Sequence, residues 1–117
     1  MSHITRIRTQ MVEQEYLLKA LEDLGHSYTL GQNEHVQVQL PAVLGTRTMT
    51  FEKRGGTYEC VGDWWGVRVN QREFLNALAQ RYAYHATLSK LSEQGFTVAS
   101  EQKDANGRIH LLLRRVG

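Results

Sequence analysis

A chain of 117 residues with 41% hydrophobic and 22% charged positions has the composition of one globular domain over residues 1–117, large enough to bury a core without covalent staples. Its single cysteine, Cys60, excludes an internal disulfide and a multi-cysteine zinc site, and apolar runs such as Leu111 to Leu113 are far too short to span a bilayer. Fourteen Lys and Arg against twelve Asp and Glu give a net charge of +2, without the clustered excess of a dedicated nucleic-acid binder.

The first predicted element is a strand over Ser2–Thr9, in which Ile4, Arg6 and Arg8 alternate with His3, Thr5, Ile7 and Thr9. Residues 10–24 follow as a helix, because Val12, Tyr16, Leu17, Ala20, Leu21 and Leu24 recur every three or four positions. Gly25 suits the left-handed residue that ends a helix. Ser27–Leu30 and His35–Leu40 read as strands around a turn at Gly31-Gln32-Asn33. Val36, Val38 and Leu40 alternate with Gln37 and Gln39, the pattern of a strand with one buried face. A second hairpin spans Thr46–Lys53 and Thr57–Val61 across Gly55-Gly56. The next helix is expected from Asn70 to about Gln94, with Glu73 in the capping-box position and Gly95 as the stop. Phe96–Glu101 and Arg108–Arg115 close the chain as a hairpin over Asp104-Ala105-Asn106-Gly107.

The resulting order is β-α-β-β-β-β-α-β-β, which predicts an α+β domain of two layers: an antiparallel sheet with both helices packed on one face. Two helices cover one face only, so the other is expected to be open to water or to a partner. "ALEDLGHSYTL" with "HVQVQL" and "KLSEQGFTVAS" with "RIHLLL" both read helix, glycine, strand, turn, strand. Either a duplication or the shared demands of a helix-to-hairpin joint accounts for the similarity.

Two constellations stand out. In "CVGDWWGV", extended chain points Trp64 to the side of Tyr58 and Cys60 and Trp65 to the other side. Trp65 is then either an interface anchor beside Asp63 or a cover for a sheet edge or helix layer. In "QRYAYH", Tyr82 and His85 share one helix face, and Arg81 and Tyr84 a neighbouring one. Phenols, a guanidinium and an imidazole can bind an anion or move a proton, and tyrosines at a helix rim can equally be structural. An enzymatic reading requires Tyr82, Tyr84, His85 and Asp63 to meet in a cleft. No catalytic set, metal-ligand spacing or phosphate-cradling glycine loop is evident, so no catalytic residue, metal or cofactor is expected. A polyanion site would use Arg6, Arg8, Arg114 and Arg115, provided that the first and last strands pair.

The opening "MSHITRIRTQ", together with "LEDLG", "QRYAYH", "EQGF" and "IHLLLRR", resembles a family of small proteins of cyanobacteria and red-lineage plastids, known as a hypothetical chloroplast reading frame of unknown function. The likeness spans nearly the whole chain and is loosest over residues 30–60. It implies a small accessory or adaptor protein of the cyanobacterial cytoplasm or plastid stroma, with a larger protein as partner. The frequent proximity of family genes to one for an AAA-type ATPase suggests such an ATPase. The absence of a signal-peptide-like start fits the same compartments. The positions that match the family's marked residues are His3, Thr9, Tyr82, Tyr84 and His85. Val116-Gly117 stand where members often carry a tryptophan. Protein binding is therefore the expected function, through the open sheet face or through Trp65, Asp63, Tyr82, Tyr84 and His85, with nucleic-acid or polyanion binding as the alternative.

Overall fold

The structure, a computed structural model, describes residues 3–116. The predicted first residue of the opening strand, Ser2, and the terminal Gly117 lie outside them. The elements are β1 (Ile4–Arg8), α1 (Gln14–Asp23), β2 (Ser27–Leu30), β3 (Val36–Pro41), β4 (Thr46–Arg54), β5 (Thr57–Asp63), α2 (Gln71–Glu93), β6 (Phe96–Lys103) and β7 (Ile109–Arg115). The class is α+β and the order is the predicted one. The strands form two separate antiparallel sheets, one of five strands in the order β1-β5-β4-β3-β2 and one of two, β6-β7. The chain divides into two compact units, Met1–Tyr82 and Ala83–Gly117.

In the first unit the pairing register decides which side chains share a face. Val36 lies opposite Phe51, Val38 opposite Met49, and Phe51 opposite Cys60. These residues are fully buried together with Leu40 and Tyr58. Leu17, Ala20 and Leu21 from α1 and Phe74 and Leu78 from α2 join the same cluster. Both helices therefore pack on one side of the five-stranded sheet, as the sequence pattern requires. Full burial of a side chain of this size is worth about 1.5–3 kcal/mol, so this layer supplies most of the unit's stability. The opposite side carries Gln37, Gln39, Thr48, Thr50 and Arg6, which are exposed or half-buried.

Helix α1 begins four residues later than its apolar spacing predicts. Thr9 Oγ1 donates to the Tyr58 carbonyl at 2.6 Å and accepts the Met11 N–H at 3.1 Å. The Tyr58 N–H then donates to the Met11 carbonyl at 2.8 Å. The chain through Met11 is thus held against β5 before a helix can start, and Val12 is exposed. Helix α2 starts where its cap predicts, with Asn70 Oδ1 accepting the Glu73 N–H at 3.0 Å. Gly25 and Gly95 end the helices with φ of 76° and 85°, a left-handed conformation that costs a glycine least.

The second unit holds the last part of α2 and the β6–β7 hairpin. A register shift between Val98 and Ser100 marks a bulge in β6. Asp104 Oδ1 accepts the Asn106 and Arg108 N–H groups, both at 2.9 Å, and fixes the hairpin turn. Ile109 and Leu111 are half-buried and Leu113 is exposed, so the inner face expected of β7 is present but only partly covered.

Candidate functional site

Asp63 and Trp65 stand at the end of β5, where the chain turns toward α2. Asp63 Oδ1 accepts the Trp65 N–H at 2.9 Å, and Asp63 Oδ2 pairs with Arg47 Nη1 at 3.0 Å. The backbone hydrogen bond and the Arg47 charge hold the Asp63 carboxyl below its usual range. Trp64 turns inward against Phe74, with ring centroids 6.0 Å apart. Trp65 turns outward and keeps 72% of its surface in solvent, with the Arg47 guanidinium 5.9 Å from its ring centroid. The alternation read from the sequence holds.

The loop between β3 and β4 meets this turn. Val43 donates its N–H to the Gly66 carbonyl, Arg68 donates its N–H to the Pro41 carbonyl (both at 2.8 Å), and Ala42 bridges Val67. The Arg68 Nε donates to the Ala42 carbonyl at 3.2 Å. Two loops are thereby tied into one platform. On it stand Val43, 58% exposed, and Leu44, 88% exposed, beside Trp65. A shallow cleft runs between them, with Arg47 at its rim. Sequence reading singled out Trp65 and Asp63 and missed Val43, Leu44 and Arg47. The signal was an apolar triplet, Ala42-Val43-Leu44, between Pro41 and Gly45, where a turn between strands is normally polar.

The QRYAYH residues are distributed differently. Tyr82 belongs to the first unit, where its hydroxyl oxygen accepts the Val12 and Glu13 N–H groups at 2.9 and 2.8 Å. Glu13 is the N-cap of α1 and makes no side-chain cap hydrogen bond; the phenol instead holds the N–H groups of Val12 and Glu13, fixing the chain as it enters the helix. The Tyr82 ring meets Tyr16 edge-on at 5.7 Å. Arg81 Nε binds Asp23 Oδ2 at 2.9 Å. Tyr84 and His85 belong to the second unit: the Tyr84 hydroxyl donates to Glu101 at 2.7 Å, and the His85 ring lies edge-on to Tyr84 at 5.2 Å. Thr9 holds the Tyr58 carbonyl as described, and His3 is exposed. Tyr82, Thr9 and Tyr84 are thus each hydrogen-bonded within their own unit. Asp63 is engaged by Arg47 and Trp65, a different set of partners from those the enzymatic reading asks for.

The arginine patch loses the premise on which it was expected. β1 pairs with β5, and β7 pairs with β6, so strand pairing does not bring Arg6 and Arg8 to Arg114 and Arg115. Arg6 Nη1 reaches Glu59 at 3.0 Å and Glu52 at 3.2 Å, and Arg8 Nε lies 3.7 Å from Glu59. The hydrogen bond that Arg6 donates to Glu59 lowers the Glu59 pKa and raises that of Arg6. Arg6 is thus paired within the sheet face, whereas the Arg8 side chain stays largely in solvent. Arg115 stacks over Phe96, 4.5 Å from its centroid.

Cys60 is buried, and burial pushes its thiol up to about 12, which removes the thiolate needed for reactivity. No cluster of three or more His, Cys, Asp or Glu side chains suited to a metal occurs among the described residues. No helix there is long and apolar enough to cross a membrane.

Comparison with known proteins fits this picture of a fold without an assigned chemistry. The family described as "Protein of unknown function (DUF1257)" matches residues 20–112. The chain belongs to this family. It is 30% identical over 125 residues to the uncharacterized protein ycf35 of Cyanophora paradoxa, an alignment that covers 98% of each chain. It is 29% identical over 126 residues to the ycf35 protein of Guillardia theta, again over 98% of each. The family is thus an uncharacterised one of cyanobacteria and plastids, in agreement with the resemblance read from the sequence. No solved structure matches.

Proposed function

We propose that this family member is a non-catalytic accessory module that binds a larger protein through the platform of Val43, Leu44 and Trp65. One observation carries the reading: three large apolar side chains stand in solvent on two loops that backbone hydrogen bonds fix to each other. Exposed apolar groups on rigid supports lose little entropy on docking, and tryptophan is the residue most enriched among binding hot spots. The hydrogen bonds of Tyr82 to Val12 and of Tyr84 to Glu101 support a non-catalytic reading. An AAA-type ATPase is the first partner to test, in the cytoplasm or stroma that the family resemblance implies.

The test is capture from native lysate by the wild-type chain and by the variant V43S/L44S/W65S, followed by binding of the purified candidate ATPase to both. A partner retained by the wild type and lost by the triple variant is the expected result. Equal capture by both chains overturns the reading. Polyanion binding is the second reading, tested by gel shift at micromolar protein. The pairing of Arg6 with Glu52 and Glu59 disfavours it.

A further inference from the structure

The cleft on the docking platform has a composition that narrows its partner. Ala42, Val43, Leu44 and Trp65 make its walls apolar, and Arg47 is the one charged residue that lines it. The nearest acid, Asp63, is already occupied: its side chain is 12% exposed, and its oxygens take the Trp65 N–H and Arg47 Nη1. The Arg47 side chain keeps 34% of its surface in solvent. Its planar fork carries five donors, so the single Nη1 bond to Asp63 leaves capacity for a second carboxylate. Arg68, bonded through Nε to the Ala42 carbonyl, adds another positive charge beside the cleft wall. An arginine held against an indole face by a half-buried carboxylate is pre-oriented, and pre-orientation favours bidentate recognition.

Resting on the docking reading above, we infer that the platform recognises a short acidic-apolar peptide segment of its partner: an apolar side chain enters between Leu44 and Trp65 while a neighbouring Asp or Glu meets Arg47. Charge complementarity selects this occupant. A basic segment would meet Arg47 and Arg68 with like charge, and a purely apolar one would leave the arginine fork without a new acceptor. Binding through Arg47 is salt-sensitive, whereas the apolar insertion is not.

Selection of random dodecapeptides on the purified full chain, with counter-selection on the L44S/W65S variant, tests this directly. Enriched peptides are then synthesised and measured by fluorescence anisotropy at low and moderate salt. The expected peptides carry an apolar residue within two positions of Asp or Glu. They lose about thirtyfold or more in affinity with W65S, as a hot-spot anchor does. They lose about tenfold with R47Q, the scale of a charged hydrogen bond, and R47Q weakens the salt dependence. R47K, which keeps the charge and loses the fork, falls between wild type and R47Q. Circular dichroism confirms that each variant is folded.

Peptides that need Trp65 but show no acidic bias, or bind R47Q as well as wild type, overturn this inference and leave the docking reading standing. Selection of no Trp65-dependent peptide overturns it too, and capture of a partner through the platform then decides the docking reading separately. Trp65-dependent sedimentation with phosphatidylserine vesicles, without peptide binding, identifies a lipid surface as the occupant and overturns both.

Discussion

The chain makes the same joint twice, with different consequences. α1, Gly25, β2 and β3 form a helix, a left-handed glycine and a hairpin, and α2, Gly95, β6 and β7 repeat the arrangement. The first hairpin is extended by β4, β5 and β1 into a five-stranded sheet, whereas the second remains a pair. Every buried residue among those described lies in the first unit, and the second contains none. A two-stranded ribbon cannot assemble a full hydrophobic layer, so local devices matter more there. These include the Asp104 turn and the bond from Tyr84 to Glu101. Secondary structure is thus shared between the two joints, and the number of strands that follow decides where the stability resides.

The sharpest way to break this comparison is to remove core volume from the first unit. Phe51 is fully buried and lies 6.4 Å from Phe74 between ring centroids. Phe51→Ala should cost about 3–5 kcal/mol in chemical denaturation. An equivalent loss from Leu113→Ala, on the exposed end of β7, would show that the second hairpin carries comparable packing. Next in size is Tyr82→Phe, which removes the oxygen that accepts two N–H groups at the start of α1. The expected cost is about 1–3 kcal/mol, and hydrogen exchange should report faster opening of α1. An unchanged melt would show that water satisfies these two N–H groups equally well.

Acid tests both units at once. Arg6 lowers the pKa of Glu59 in the first, and His110, with the Arg108 N–H, lowers that of Asp104 in the second. A carboxylate whose folded pKa is depressed adds stability above its unfolded pKa, and that stability disappears as pH falls through the folded value. Stability should therefore be level near neutrality and fall below about pH 4.5, near the ordinary carboxylate values. Arg6→Gln should flatten the part due to Glu59, and Asp104→Asn the part due to the hairpin. If neither variant changes the slope between pH 5 and 3, these pairs are not coupled to folding. His26 gives a smaller signal at higher pH. Burial lowers its pKa, so the fold loses stability as pH falls below about 6.5, where the unfolded imidazole takes up a proton.

The sequence made the elements legible because helix and strand periods are local. Val36, Val38 and Leu40 alternate as read, and Gly25, Asn70 and Gly95 mark the ends as read. The late start of α1 was not legible, since it depends on Thr9 meeting the Tyr58 carbonyl 49 residues away. The split into two sheets was hidden for the same reason, because no local pattern says whether β7 pairs with β1. Of the site, Trp65 could be placed by alternation along β5, while Leu44 and Arg47 join it only through contacts between loops. Tyr82 and Tyr84 show the converse: their spacing on the helix was legible, but their partners, Val12 and Glu101, lie elsewhere in the chain.

The smallest expected effects on stability fall where the docking proposal is most exposed. Tyr84→Phe removes one bond at the surface, to Glu101, and should cost less than about 1 kcal/mol. Trp65→Ser should change stability by less than about 0.5 kcal/mol, because most of the side chain already lies in solvent. Its neighbour Trp64 packs against Phe74, and Trp64→Ala should cost about 3 kcal/mol or more. Two adjacent tryptophans would then separate folding from recognition within a single turn of chain. A large loss of stability from Trp65→Ser would mean that the indole supports Arg47 and the loop pair, and that its exposure serves the fold rather than a partner.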